Sequence, residues 1–166
     1  IDNGDAAEGG TPYGYVKKDG KKLQGAFGHG YKIIGFDAEH RFLIGDTTTA
    51  EQMVDAVEFG PALIVNGKKI EELGSINSLQ PRTAIGQKED KTVLMLVING
   101  RNKGGSMGSR GVDCRDILWD YGAVQASNLD GGSSSVMYYQ GRVINSPTTS
   151  TGNKDGRRLP NGFMVK

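Results

Sequence analysis

The segment from Asn128 to Ser135 holds the densest set of groups that can do chemistry, because an acid, two glycines and three serines follow one another there. Backbone amides beside Gly131 and Gly132 can turn toward an anion, as they do in concave phosphate-binding turns. The alternative is a hairpin loop in which Asp130 and the serines satisfy nearby backbone groups. No Lys-Ser or Lys-Thr pair follows the glycines, so the segment is not a nucleotide-binding P-loop.

Asp130 is the candidate catalytic group of this segment. It follows the apolar Leu129 at the end of a predicted strand, so a rigid element can aim its carboxylate. The two glycines after it leave space for a ligand, and arginines nearby would keep it ionised. An ionised carboxylate in such a place can stabilise positive charge, attack a carbon or activate water.

Arginines recur where predicted loops meet predicted strands. Arg82 follows Pro81, Arg101 follows Asn99-Gly100, and Arg157 begins the arginine pair of the last long loop. A guanidinium can bind phosphate through two parallel hydrogen bonds, although a surface arginine without a role is the commoner interpretation for any single position. These arginines are candidate phosphate ligands, and we expect Arg82 to lie at one pocket edge with Asp130.

The other reactive residue types indicate no second site. Neither His29 nor His40 has a serine or cysteine nucleophile motif beside it. The single cysteine, Cys114, lacks the neighbouring Cys or His that a zinc site requires. Cys114 is therefore predicted to be a small, buried apolar residue.

Composition and charge indicate one domain and exclude some partners. The 166 residues fit a single domain over 1–166, and 20 Lys+Arg against 19 Asp+Glu leave a net charge of +1 with interspersed signs. This balance argues against nucleic acid, and no apolar run reaches the roughly 18 residues that a membrane-inserted helix needs. The polar, glycine-rich residues 1–11 are compatible with a chain that begins partway through a larger protein.

Turn dipeptides predict that most of the chain folds into hairpins. Asp19-Gly20 and Asn66-Gly67 each lie between short apolar segments, which is typical of tight hairpin turns. The continuously apolar segment 93–98 predicts a strand buried on both faces. The predicted strands cover residues 13–18, 23–27, 31–36, 41–44, 62–65, 68–70, 83–87, 93–98, 123–129, 136–139, 142–144 and 163–165.

Two helices are predicted among these strands. A Thr-x-x-Glu capping box begins the first at Thr48, apolar residues continue at helical spacing to Val57, and Gly60-Pro61 ends it. Asp113 is predicted to cap the second helix, which ends at Gly122. The fold class is therefore α+β, with mostly antiparallel strands in hairpins wrapped around or packed on two short helices.

Four blocks in order along the chain resemble the phosphodiester glycosidase family. The Asn-Leu-Asp-Gly-Gly sequence is the most specific of them, and the others are specific mainly by their order. The resemblance runs from Phe59 to the C-terminus, with a looser match in the first hairpin. The blocks are residues 80–86, 97–101, 121–135 and 157–161.

This resemblance implies a hydrolase that acts on a sugar-1-phosphodiester outside the cytoplasm, in the extracellular space or cell envelope. Asp113 lies where many members carry a glutamate, which makes it a second candidate catalytic residue beside Asp130. Asn99 departs from the aspartate that the family usually carries. The positions carried over as the wall of the pocket are Arg82, Arg101, Asn128, Asp130, Gly131, Gly132, Ser133, Asn145 and Arg157.

Three functions stay open at this point. The first is hydrolysis of a sugar-1-phosphodiester in a glycan or wall polymer, with arginines holding phosphate and Asp130 near the anomeric carbon. The second is a non-catalytic module that binds phosphate-bearing cell-surface polysaccharide, which the amide at Asn99 favours because an amide transfers no proton near neutral pH. The third is a phosphodiesterase in which Asp130 and Asn128 ligate a divalent cation, calcium or magnesium.

Overall fold

A computed structural model describes residues 12–25, 30–74, 76–101, 105–149 and 155–165. Within this part of the chain, the strands form two five-stranded sheets and one two-stranded hairpin, and two helices accompany them. Every strand pair is antiparallel. The predicted α+β class is confirmed.

The first sheet forms from the hairpins of the first third of the chain. Its strands lie in the order β2-β1-β5-β3-β4. Hairpins predicted at Asp19-Gly20 and at residues 37–40 are confirmed, as β1 pairs with β2 and β3 with β4. The strands are β1 (Val16–Lys18), β2 (Lys21–Gln24), β3 (Lys32–Asp37), β4 (Phe42–Gly45) and β5 (Met53–Phe59).

The prediction of a long first helix is wrong. Helix α1 (Thr47–Glu51) is one short turn, and Asp46, not Thr48, caps it by accepting the Thr48 and Thr49 amides. The chain then enters β5, which pairs with β1 on one edge and β3 on the other. Two hydrogen-bonded ladders outweigh the helical spacing, which includes two β-branched residues, Val54 and Val57, with little helix preference.

The second sheet carries the longer helix. Its strands lie in the order β7-β6-β10-β8-β9. Helix α2 (Gly111–Asp120) packs on it through the fully buried Cys114 and through Leu118, so the prediction for Cys114 is confirmed. The strands are β6 (Ala62–Val65), β7 (Lys68–Lys69), β8 (Arg82–Lys88), β9 (Val93–Ile98) and β10 (Ala123–Leu129).

Strand β9 is not buried on both faces as predicted. It lies at the edge of its sheet with β8 as its partner, and Met95 keeps 41% of its surface exposed. A continuous apolar run therefore marks a half-buried edge strand here. The predicted strand at 163–165 is irregular, and the hairpin before it is short, with β11 (Tyr138–Tyr139) and β12 (Arg142–Val143).

The two sheets pack face to face. Ile34 and Phe42 from the first sheet meet Ile85 from the second in a buried cluster. Helix α1 covers the other face of the first sheet, where Ala50 packs, and α2 covers the other face of the second. No helix in the described ranges is long and apolar enough to span a membrane.

Candidate functional site

Antiparallel pairing brings three of the four sequence blocks to one end of the second sheet. Arg82 at the start of β8 lies opposite Ile98 at the end of β9, and Thr83 lies opposite Leu129 at the end of β10. The loops that continue from these strand ends must therefore meet. Residues as far apart in the sequence as Thr83 and Leu129 therefore share one small region.

Glycines allow the loop backbones to approach each other very closely there. A Cβ added at Gly100 would lie 2.7 Å from the Pro81 nitrogen, and one added at Gly131 would lie 2.7 Å from the Pro81 oxygen. A Cβ at Gly108 would collide with the backbone of Gln80. Three glycine positions thus pack against the segment that precedes β8, and a larger residue at any of them would force the loops apart.

The glycine-serine segment forms a tight 3-10 turn over Gly132–Ser134, the Gly132 turn. The amide of Gly132 donates to the Pro81 carbonyl at 2.8 Å, and its φ of 60° is a conformation that favours glycine. The guanidinium of Arg101 lies directly against it, because a Cβ at Gly132 would be 3.2 Å from an Arg101 terminal nitrogen. The backbone amide and hydroxyl of Ser133 have no hydrogen-bond partner within the described residues.

Asp130, Ser134 and Arg157 form a connected cluster, the Asp130 cluster, beside this turn. The Ser134 hydroxyl donates to Asp130 Oδ2 at 2.7 Å, and an Arg157 terminal nitrogen donates to the same oxygen at 3.2 Å. Arg157 also donates to the Ser134 hydroxyl oxygen from two nitrogens, at 2.7 and 2.9 Å. Oδ1 of Asp130 accepts no hydrogen bond from the described residues, so one carboxylate oxygen remains for a ligand.

A cavity of about 800 Å³ borders Asp130 and Ser134. This volume lies within the range of pockets that hold small-molecule ligands, about 300–1,000 Å³. Its walls come from both sheets and are mostly apolar. They include Val57, Phe59, Ile85, Met95, Val97 and Leu129.

Asn145 and Asn99 join the loops behind the cluster. Asn145 Nδ2 donates to the Ser135 carbonyl at 2.8 Å and to Asn99 Oδ1 at 3.3 Å, while its own Oδ1 accepts the Met137 amide at 2.8 Å. Asn99 Oδ1 also accepts the Ser146 amide at 2.9 Å. Position 99 therefore supplies an acceptor oxygen to two donors, a task that a carboxylate performs equally well.

We expect Asn99→Asp to leave turnover and phosphate binding within about threefold of the native values, because both donors keep their acceptor. Asn99→Leu, which removes the acceptor, should lower the melting temperature by a few degrees, since two donors lose their partner. Thermal unfolding and a hydrolysis assay on both variants test this. A rise in turnover of a hundredfold or more in Asn99→Asp would instead assign position 99 a proton-transfer role.

Arg82 lies at the sheet end but its guanidinium is engaged by the backbone. The residue is only 6% exposed, and burial lowers the pKa of its guanidinium. Its Nε donates to the Ser109 carbonyl at 3.0 Å, and one terminal nitrogen donates to the carbonyls of Ile76 and Ser78 at 3.1 and 2.6 Å. No hydrogen bond or ion pair joins Arg82 to Asp130 among the described residues.

Asp113 is occupied at the start of α2. The prediction that it is the N-cap is wrong, because Arg110 holds that position and Asp113 stands three residues later. Its carboxylate accepts the Arg110 amide at 2.7 Å and pairs with the Arg110 side chain at 3.2 Å, which lowers the pKa of Asp113. This capping box gives Asp113 a structural task, and no contact connects it to the Asp130 cluster in the described part of the chain.

Asn128 is buried and turned toward β6. Its Nδ2 donates to the Gly60 carbonyl at 3.0 Å, and its amide donates to the Pro61 carbonyl at 3.0 Å. Its Oδ1 is buried without a partner among the described residues. The described residues contain no group of three or more His, Cys, Asp or Glu side chains that could hold a metal ion.

Two participants were not singled out from the sequence. Ser134 links Asp130 to Arg157, and its place in a run of three serines was the available signal. Gln80 accepts from Arg101 Nε at 2.6 Å. It stands at the head of the first sequence block, but only the fold shows that it faces Arg101.

Sequence comparison relates the whole chain to one family. The phosphodiester glycosidase family model matches residues 1–166. A 70-residue segment is 36% identical to the SPbeta prophage-derived protein YomE of Bacillus subtilis strain 168. That segment is 42% of this chain and 11% of the Bacillus protein.

Solved structures share the fold. The catalytic domain of zebrafish N-acetylglucosamine-1-phosphodiester alpha-N-acetylglucosaminidase, auto-inhibited by its pro-peptide, matches with a TM-score of 0.73 and 18% identity over 89% of this chain. A protein from Synechocystis matches with a TM-score of 0.70 and 14% identity over 88% of this chain. The chain spans about half of each of these structures, 56% of the first and 48% of the second.

Proposed function

Because this chain belongs to the phosphodiester glycosidase family, we propose that it hydrolyses the bond between the anomeric carbon of a sugar and a phosphodiester. The observation that carries this proposal is the Asp130 cluster beside the Gly132 turn. A carboxylate with one available oxygen lies next to a turn that has a guanidinium against it. An anion-binding surface next to a carboxylate is suited to cleavage of a sugar-phosphate bond, because the surface can hold the phosphate while the carboxylate acts at the anomeric carbon.

The Gly132 turn and its arginines form the phosphate side of the proposed site. Arg101 lies against Gly132, and Arg157 reaches Ser134 at the other end of the same turn. The Ser133 amide, which has no partner among the described residues, adds a neutral donor within the same turn, as in other backbone anion sites. A phosphodiester carries one negative charge, which the Arg101 guanidinium can balance with the Ser133 amide as a further donor, while Arg157 is already ion-paired with Asp130.

Asp130 acts at the sugar side of the proposed site. Its Oδ2 is held by Ser134 and Arg157, so the carboxylate has a fixed orientation, and its Oδ1 can face the anomeric carbon. It can stabilise the positive charge that develops there, attack the carbon or activate water. Phosphate leaves readily, so the reaction needs a strong general acid less than an ordinary glycoside does.

The adjoining cavity and the prophage relative support a target in a glycan or wall polymer at the cell surface. The cavity has space for a sugar ring with its substituents. A relative encoded by a prophage fits an envelope target, because a phage meets the envelope polymers of its host. We therefore propose an extracellular or cell-envelope location.

A non-catalytic binding module is the second candidate, and two observations favour it. The acceptor oxygen of Asn99 is engaged in loop packing, and Asp113 is engaged in its capping box. Asp130 is thus the one proposed acid or base whose carboxylate keeps an oxygen without a partner among the described residues. With a single carboxylate, the same pocket could hold a phosphate-bearing polysaccharide without cleaving it.

One assay separates these functions. The protein is incubated with a panel of activated aryl esters of sugar 1-phosphates, with and without a chelator, and its binding to a phosphate-bearing wall polysaccharide is measured in parallel. Turnover that survives chelation supports the hydrolase. Binding without turnover supports the module, and turnover that chelation abolishes supports a divalent cation in the site.

A further inference from the structure

Arg101 has a backbone conformation that is unusual for its residue type. Its φ is 59°, a left-handed conformation that costs about 1–2 kcal/mol for a residue with a Cβ. Its side chain is exposed, and an unrestrained arginine on the surface samples many rotamers. Contacts with neighbouring residues are therefore needed to stabilise this backbone conformation and to fix the orientation of the Arg101 side chain.

Neighbouring loops hold the backbone before Arg101. The Thr148 hydroxyl donates to the Gly100 carbonyl at 2.7 Å, and the Ser106 hydroxyl donates to the Asn99 carbonyl. Gly100 itself packs against Pro81. These contacts place the Cα of Arg101, but they leave the direction of its side chain open.

Gln80 is the residue that contacts the Arg101 side chain through a hydrogen bond. Its Oε1 accepts from Arg101 Nε at 2.6 Å. The backbone of Gln80 is fixed in turn by two hydrogen bonds with Ser109, at 2.9 and 3.2 Å. The acceptor is therefore held by a rigid segment, and among the described residues it is the single hydrogen-bond partner that the Arg101 side chain has.

The acceptor for the Arg101 guanidinium is an uncharged amide oxygen, which is important if Arg101 is to bind an anion. Gln80 accepts a hydrogen bond from the Nε of Arg101. Both terminal nitrogens of Arg101 stay beside Gly132, 3.2 and 3.6 Å from the position of a Cβ added at Gly132. An amide oxygen orients the guanidinium without cancelling its charge, whereas a carboxylate would form an ion pair that competes with a bound anion.

We propose that Gln80 is a positioning residue that aims the Arg101 guanidinium at the Gly132 turn and so preorganises the phosphate side of the site. This inference rests on the proposed function, because it assigns the anion to that turn. A preorganised donor binds an anion more tightly than a mobile one, since less rotamer freedom is lost on binding.

The test is a double-mutant cycle of Gln80→Met with Arg101→Met. Inorganic phosphate binding is measured by calorimetry, and KM and kcat are measured on an activated sugar-1-phosphodiester. Gln80→Met keeps the side-chain shape but removes the acceptor, so we expect phosphate affinity to fall about five- to tenfold, the equivalent of one ordinary hydrogen bond. KM should rise by a similar factor with an unchanged melting temperature.

The Arg101→Met variant is the background in which we test whether Gln80 acts through Arg101. In Arg101→Met, the further change Gln80→Met should have no effect on phosphate affinity, because coupled residues are not additive. Gln125→Met is the matched control, as Gln125 bonds to the Asn66 turn away from this region. An additive loss, or an unchanged affinity in Gln80→Met, would overturn the positioning role.

A measurement on the native protein keeps the inference testable if Gln80→Met fails to fold. The Nε–H resonance of Arg101, observed by nitrogen-edited NMR, should be resolved and slow to exchange with solvent. A rapidly exchanging, averaged resonance would contradict the inference. If the native protein neither binds phosphate nor cleaves the diester, the proposed function fails and this inference fails with it. Normal activity with an unaffected Gln80 variant overturns the inference alone.

Discussion

Replacing Asp130 with asparagine should lower turnover of an activated sugar-1-phosphodiester by about a hundredfold or more, the usual effect of losing a catalytic carboxylate. Asparagine has the same shape and keeps an acceptor oxygen for Ser134 and Arg157, so the cluster can persist. The charge at the anomeric side of the site is lost, however. The Asp130 side chain is 43% exposed, so its ion pair with Arg157 contributes little to folding.

Rates must be compared at matched melting temperature, and Asp90→Asn is the control. Asp90 is an aspartate in a hairpin turn that accepts the Thr92 amide at 2.9 Å, away from the Asp130 cluster. The same chemical change there should leave turnover unchanged. Comparable rates in the native protein and Asp130→Asn would defeat the catalytic role. Absence of turnover in both, with polysaccharide binding retained, would favour the binding module.

The hairpins were predictable because their signals are local. Asp19-Gly20 and Asn66-Gly67 favour left-handed turn conformations whatever the rest of the chain does, and both turns form. Strand β5 was not predictable in this way. Its apolar residues fit a helical spacing. The segment forms a strand because it pairs with β1 and β3, which lie elsewhere in the sequence.

The difference between local signals and pairing of distant segments also explains which features of the site could be predicted from the sequence. The resemblance of the sequence blocks to one family predicts that their segments share a region, and antiparallel register brings three of them together. The resemblance does not tell which way a side chain turns. Arg101 and Arg82 stand in neighbouring blocks, yet one lies against the Gly132 turn and the other donates to buried carbonyls.

The second large effect concerns Arg82. Arg82→Met should destabilise the fold by about 3–5 kcal/mol, because each buried carbonyl left without a donor costs roughly 1–3 kcal/mol. Three carbonyls, from Ile76, Ser78 and Ser109, lose a charged donor, and methionine offers none in return. For a domain of this size, such a loss lowers the melting temperature by roughly 10 °C. Thermal and denaturant unfolding measure it directly.

Two further arginine variants separate folding from binding. Arg142→Met changes an exposed arginine of β12 and should leave both the melting temperature and phosphate affinity unchanged. Arg101→Met should weaken phosphate binding with a native melting temperature, because its guanidinium is exposed and contacts the turn. In Arg82→Met, the primary effect should be a lower stability of the fold, and weaker phosphate binding should follow only from that loss. A native melting temperature combined with abolished phosphate binding in Arg82→Met would contradict the structural role and would indicate that Arg82 is a phosphate ligand.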